Sequence, residues 1–111
     1  MKCEVSSEED GAAVVEAAAD MGQLRDLVNS AGLGLAARNV DRDNNPMPQG
    51  DFDFVIRINL LGSFNMLRLS AAAMAKTDPL DSDGARGAIV NMASAAAFDG
   101  QICQAAYSAS K

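Results

Sequence analysis

Three short strand-like runs, at 1–5, 24–29 and 88–92, alternate with helical stretches over 7–21, over 52–75 and onward from Gln104. That alternation leaves few folds open. Strands separated by helices lie parallel in one sheet. Parallel strands need cover on both faces. The order therefore predicts an α/β fold: part of a doubly wound parallel sheet in three layers, α/β/α.

Local signals support the elements. Ser6-Ser7-Glu8-Glu9 reads as a capping box, with the Ser6 hydroxyl accepting from the Glu9 N–H. The Ala-rich helix that follows can stop at Gly22. Residues 33–50 carry Arg, Asn, Asp and two prolines, which predicts a loop. Asp51 or Asp53 can start the next helix. Its apolar residues recur at Phe54, Ile58 and Leu61, and again at Leu60, Phe64, Leu67, Ala71 and Met74. A helix apolar on two sides is buried on two sides. The 52–75 helix is thus expected to cover the sheet and to offer a second face to another subunit, making the full-length form a homo-oligomer.

Composition excludes several kinds of chemistry. Apolar residues make up 49% of the 111, enough for one buried core. The net charge is -6 with no Lys/Arg cluster, so nucleic acid and anionic membrane are not expected partners. Cys3 and Cys103 lie far apart, which predicts neither a disulfide framework nor a zinc site. No stretch reads as a signal peptide or a membrane span. A reducing, cytoplasmic setting fits these features. There is no histidine, so Ser-His-Asp hydrolysis and His-ligated metal are excluded within these residues, and no metal site is expected.

Proton transfer must then use Tyr, Lys or a carboxylate, and the chain has a single tyrosine, Tyr107. Lys111 follows it by four residues, on the same face of a helix. A phenol is a poor base at neutral pH. An ammonium beside it favours the phenolate. Ser94 stands thirteen residues before Tyr107, where an apolar strand passes into a loop. In parallel α/β sheets that carboxyl edge is where ligands bind. A hydroxyl there can hydrogen-bond an oxygen on which charge develops.

Ser94, Tyr107 and Lys111, with Asn59 upstream, resemble the catalytic tetrad of the short-chain dehydrogenase/reductase family. Asn29-Ser30-Ala31-Gly32 resembles its Asn-Asn-Ala-Gly motif, with Ser in second place. Glu4-Val5 falls where the family has Asp-Val beside the adenine. Any one motif alone is a common accident; all of them in order are not. Gly32-x-Gly34-x-x-Ala37 also fits a dinucleotide fingerprint, but no helix can open in the Arg38–Pro46 stretch that follows. Gly34 reads as loop.

The resemblance implies a Rossmann-like domain of which residues 1–111 form the central part, without the Gly-rich turn and the later strands. It implies an NAD(P)-dependent oxidoreductase, with NAD the expected cofactor and NADP not separated from it by these residues. By this likeness Tyr107 is the acid/base and Lys111 holds the nicotinamide ribose. Ser94 orients the substrate oxygen. Asn59 bends its helix and positions a water linked to Lys111. Glu4 and Val5 line the adenine pocket, and Asn29, Ser30, Ala31 and Gly32 pass near the adenosine ribose. The stretch from Gly62 to Lys111 is similar to the type-2 3-hydroxyacyl-CoA dehydrogenase branch, which implies a small-molecule substrate such as a 3-hydroxyacyl-CoA. The alternatives are a catalytically inactive truncated or split-gene remnant, and a nucleotide-binding regulator that reuses the fold.

Overall fold

The computed structural model describes residues 1–111. Helix α1 spans Glu8–Asp20 and strand β1 Asp26–Asn29. A long crossover follows: α2 over Gln49–Ile56, a π-helical segment over Arg57–Leu61, and α3 over Gly62–Met74. Strand β2, Ala88–Asn91, pairs parallel with β1 in the register Asp26↔Ala88 to Asn29↔Asn91. A short helical turn α4, Ala96–Asp99, leads to α5, Ala105–Ser110. The α/β class, with a parallel sheet flanked by helices, is as expected. No helix is long and apolar enough to cross a membrane.

Three local expectations are corrected. Residues 1–5 form no strand. The sheet contains only β1 and β2, and the segment is tied down through side chains instead: the Glu4 N–H donates to the Asp10 carboxylate and the Val5 carbonyl accepts from the Asn65 amide. The helix cap is Ser7, whose hydroxyl accepts from the Asp10 N–H at 3.2 Å. Ser6 is diverted, because its N–H and hydroxyl both donate to the Glu4 carboxylate. The crossover helix begins at Gln49, ahead of Asp51, behind Pro48. Proline presets φ near the helical value, and here φ is -58°.

The elements make a flat, extended body. Its radius of gyration is 17.3 Å and its extents are 59 × 28 × 16 Å. A compact chain of this length would have a radius near ~13 Å. Sixteen ångströms is room for a sheet and one layer of helices, which pack about 10 Å apart. The alternation along β1 agrees: Leu27 and Asn29 are covered while Val28 is 60% exposed. On β2, Val90 is likewise half exposed. One sheet face lies under α3, and the face bearing Val28 and Val90 is open.

Few residues are fully enclosed. Val55 is completely buried, a burial that stabilises by about 1.5–3 kcal/mol. Phe54, Leu60, Leu61 and Phe64 on the crossover helix remain exposed, so its second apolar side is uncovered as expected. The 33–48 loop is organised by Asp41, whose carboxylate accepts from the backbone N–H groups of Asn45 and Asp43. The Asn45 N–H, above all, holds the Asp41 carboxyl below the usual carboxylate range. Gly32 to Ala36 run as loop, so the Gly32-x-Gly34 pattern opens no helix.

Candidate active site

The carboxyl ends of β1 and β2 and the π-helical segment meet at a set of buried polar side chains. Asn29, the last residue of β1, is on the covered face. Its amide donates to the Asn91 side-chain oxygen at 2.8 Å and to the Ser63 carbonyl at 3.2 Å. It thus ties both strands to α3. Ser30 and Ala31 beyond it are exposed. Gly32 is held close to the site: a Cβ there would stand 3.2 Å from Asn59 Oδ1 and 3.5 Å from Lys111 Nζ. A side chain there would crowd the Asn59 amide oxygen by a few tenths of an ångström.

Asn59 lies in the middle of the π-helical segment, where the Gly62 N–H bonds the Arg57 carbonyl, one residue further back than in an α-helix. Such single-turn widenings occur often at functional sites. The Ser63 hydroxyl donates to the Asn59 carbonyl at 2.7 Å. The Asn59 amide pairs with the loop after β1, accepting from the Leu33 N–H and donating to the Leu33 carbonyl, each at 2.8 Å. The same nitrogen donates to Ser110 Oγ at 2.9 Å. No side-chain hydrogen bond joins Asn59 to Lys111; they share Gly32 as a neighbour instead.

Helix α5 carries Tyr107, with Lys111 directly after its last residue. Lys111 Nζ donates to the Met92 carbonyl at 2.9 Å, just past β2, and stands 5.7 Å from the centre of the Tyr107 ring. An ammonium has three donors, so two are free for other partners. The Tyr107 ring borders Gly34. Ser94 follows β2 and is half-buried; its hydroxyl oxygen accepts from the Ala96 N–H at 3.2 Å. That bond uses a lone pair and leaves its proton for donation.

Glu4 and Val5 flank the same long helix one turn on. Val5 packs on Gly62, and its carbonyl accepts from the Asn65 amide at 2.9 Å. Asn65 also donates to the Ser7 carbonyl and accepts from Arg68, which pairs with Glu8 at 3.2 Å. Nearby Cys3 is no ready nucleophile: burial, with the Asp10 and Glu4 charges, pushes its thiol up.

A cavity of about 270 Å³ lies against Asn59, Ser63, Asn91, Met92, Ser110 and Lys111. A larger one, about 730 Å³, lies elsewhere, between α1 and the end of α3. Its walls are mostly Ala, Val and Leu, with none of the expected site residues; the smaller one touches Asn59 and Lys111 but neither Ser94 nor Tyr107. Sequence reasoning missed Ser63, Asn91 and Ser110. Ser110 left a signal: a serine three residues after Tyr107 on a helix can bond back to the Tyr107 carbonyl. Asn91, a polar residue ending an apolar strand, left a weaker one.

The parallel α/β arrangement agrees with a short-chain dehydrogenase fold, and the chain belongs to the short chain dehydrogenase family, whose model matches residues 1–111. Within it, the chain is 49% identical over 110 residues to 3-hydroxyacyl-CoA dehydrogenase type-2 of Drosophila melanogaster, covering 97% of this chain and 43% of that protein. It is 42% identical to the Homo sapiens protein of the same name, again over 97% of this chain and 42% of the other. The crystal structure of 3-hydroxyacyl-CoA dehydrogenase type-2 from Mycobacterium avium superposes with a TM-score of 0.92 at 42% identity, covering 99% of this chain and 43% of that one. The chain therefore spans less than half the length of these relatives.

Proposed function

We propose that the full-length protein is an NAD(P)-dependent oxidoreductase that oxidises the hydroxyl of a 3-hydroxyacyl-CoA or a similar secondary alcohol. The observation that carries the reading is the Lys111 ammonium, seated on the Met92 carbonyl and 5.7 Å from the Tyr107 ring at the carboxyl edge of the sheet. Residues 1–111 are the central part of one dinucleotide-binding domain in this reading.

The groups present fit a nicotinamide dinucleotide. Lys111 keeps two donors for ribose hydroxyls, and Gly32 leaves beside it a gap that a Cβ would fill. Ser30, Ala31 and Gly32 offer an open backbone edge for the adenosine ribose, and Glu4 and Val5 lie near the start of α3 for the adenine. Asn29 supports that edge from behind, its amide being taken up by Asn91 and Ser63. The bound dinucleotide supplies the acceptor for the hydride that leaves the alcohol carbon.

The chain's own residues handle the proton. Tyr107 takes the proton of the substrate hydroxyl, with the Lys111 ammonium 5.7 Å from its ring centre. Ser94 donates its free proton to the substrate oxygen and holds it in place. Asn59 positions the loop at Gly32 and, through it, the space beside Lys111. The exposed Phe54, Leu60, Leu61 and Phe64 support a homo-oligomer formed through the crossover helix. The open sheet face at Val28 and Val90 favours a second reading for the 111 residues taken alone, as a piece without catalytic activity.

The test is a substrate panel on the full-length protein with NAD. Short 3-hydroxyacyl-CoA should be oxidised faster than a steroid alcohol or a sugar alcohol. Turnover of the acyl-CoA no higher than of those controls would overturn the substrate assignment.

A further inference from the structure

Resting on the proposed roles of Tyr107 and Lys111, we infer that Ser110 is a positioning residue for that pair, acting through Asn59. Ser110 is buried, with 6% of its surface exposed. Its hydroxyl has one proton, which it donates to the Tyr107 carbonyl at 2.8 Å. Its lone pairs face the other way and accept from Asn59 Nδ2 at 2.9 Å. The two bonds are complementary, so neither group has to give up the other.

Asn59 cannot turn its amide to suit a different partner. Its oxygen is fixed by the Leu33 N–H and its nitrogen also serves the Leu33 carbonyl. A flip would set like against like on both sides. The path Leu33–Asn59–Ser110–Tyr107 therefore ties together the loop after β1, the π-helical segment and α5. It is the only side-chain to side-chain hydrogen bond between α5 and that segment.

The link matters because α5 carries both proposed proton-transfer groups. Tyr107 and Lys111 reach the site from this helix, and Ser110 lies between them in sequence. Lys111 is steadied by one bond to a backbone carbonyl, and Tyr107 by packing near Gly34. Ser110 fixes the backbone from which both project.

The experiment compares Ser110→Ala and Ser110→Thr in the full-length protein. Ser110→Ala should lower kcat roughly tenfold, the scale of a small misplacement of reacting groups, with KM changed less than about twofold. Ser110→Thr, which keeps the hydroxyl, should recover most of kcat. Hydrogen exchange supplies a reading that needs no turnover. In Ser110→Ala the amides of residues 105–111 should exchange faster while those of α1 do not, and Ser110→Thr should restore them. Wild-type kcat and wild-type exchange in Ser110→Ala would overturn the inference. So would faster exchange throughout the protein with no rescue by Thr, which would make Ser110 a general packing residue. A wild-type protein that oxidises no alcohol removes the proposed function instead, and the local exchange of 105–111 then decides the clamp alone.

Discussion

The two ends of the sheet are held by opposite means. At the amino end a single guanidinium does most of the work: Arg25 Nη1 donates to Thr77 Oγ1, to the Asp78 carbonyl and to the Arg86 carbonyl, at 2.7–2.9 Å. At the carboxyl end, amides and hydroxyls from β1, β2, the crossover helix and α5 bond one another, and Asn29, Asn59 and Ser110 are all buried. The carbonyls at the amino end can turn to water if Arg25 leaves. The buried groups at the carboxyl end cannot, and a buried group without a partner costs about 1–3 kcal/mol. The carboxyl end is thus the stiffer one, which suits the proton transfer proposed for it. The amino end can carry a changeable loop, Lys76–Arg86.

The sharpest test of the contrast is at the carboxyl end. In the full-length protein Tyr107→Phe should reduce turnover by at least about a hundredfold, the lower range for a lost acid/base group. Calorimetry should show dinucleotide binding nearly intact, since the ring stays. Turnover within a few-fold of wild type would take the proton-transfer role away from Tyr107.

The amino end has one stiff point that could break the comparison. A Cβ on Gly87 would fall 2.2 Å from the Arg25 carbonyl, which accepts the first cross-strand bond, from the Ala88 N–H. Gly87→Ala must therefore push the strands apart where they begin. A loss of about 2–3 kcal/mol is expected, lowering Tm of this chain by ~10 °C in a circular-dichroism melt. An unchanged Tm would mean that the two strands do not meet as closely as described.

The smallest effect should come from Arg25 itself. Arg25→Met removes four bonds, yet should cost only about 1 kcal/mol in a urea titration, because the released acceptors rehydrate. A cost as large as that of Gly87→Ala would show that the amino end is as rigid as the carboxyl end.

Much of this was legible in the residues. The β1 and β2 positions, the loop at Gly34, the start of α5 at Gln104 and the two-sided apolar character of the crossover helix follow from periodicity and turn chemistry, which act over a few residues. The Tyr107–Lys111 pairing follows from a four-residue helical spacing. Other features depend on distant partners. Residues 1–5 have strand-like character, but a strand exists only beside another, and none lies next to them. The cap moved from Ser6 to Ser7 because the Glu4 carboxylate competes for Ser6. The π-helical turn at Asn59 and the clamp through Ser110 join residues 51 positions apart. Local sequence determined which groups could donate, accept or carry charge; only the packing of the crossover helix against the strands and α5 decided which of them are buried together, and burial is what makes those bonds costly to lose.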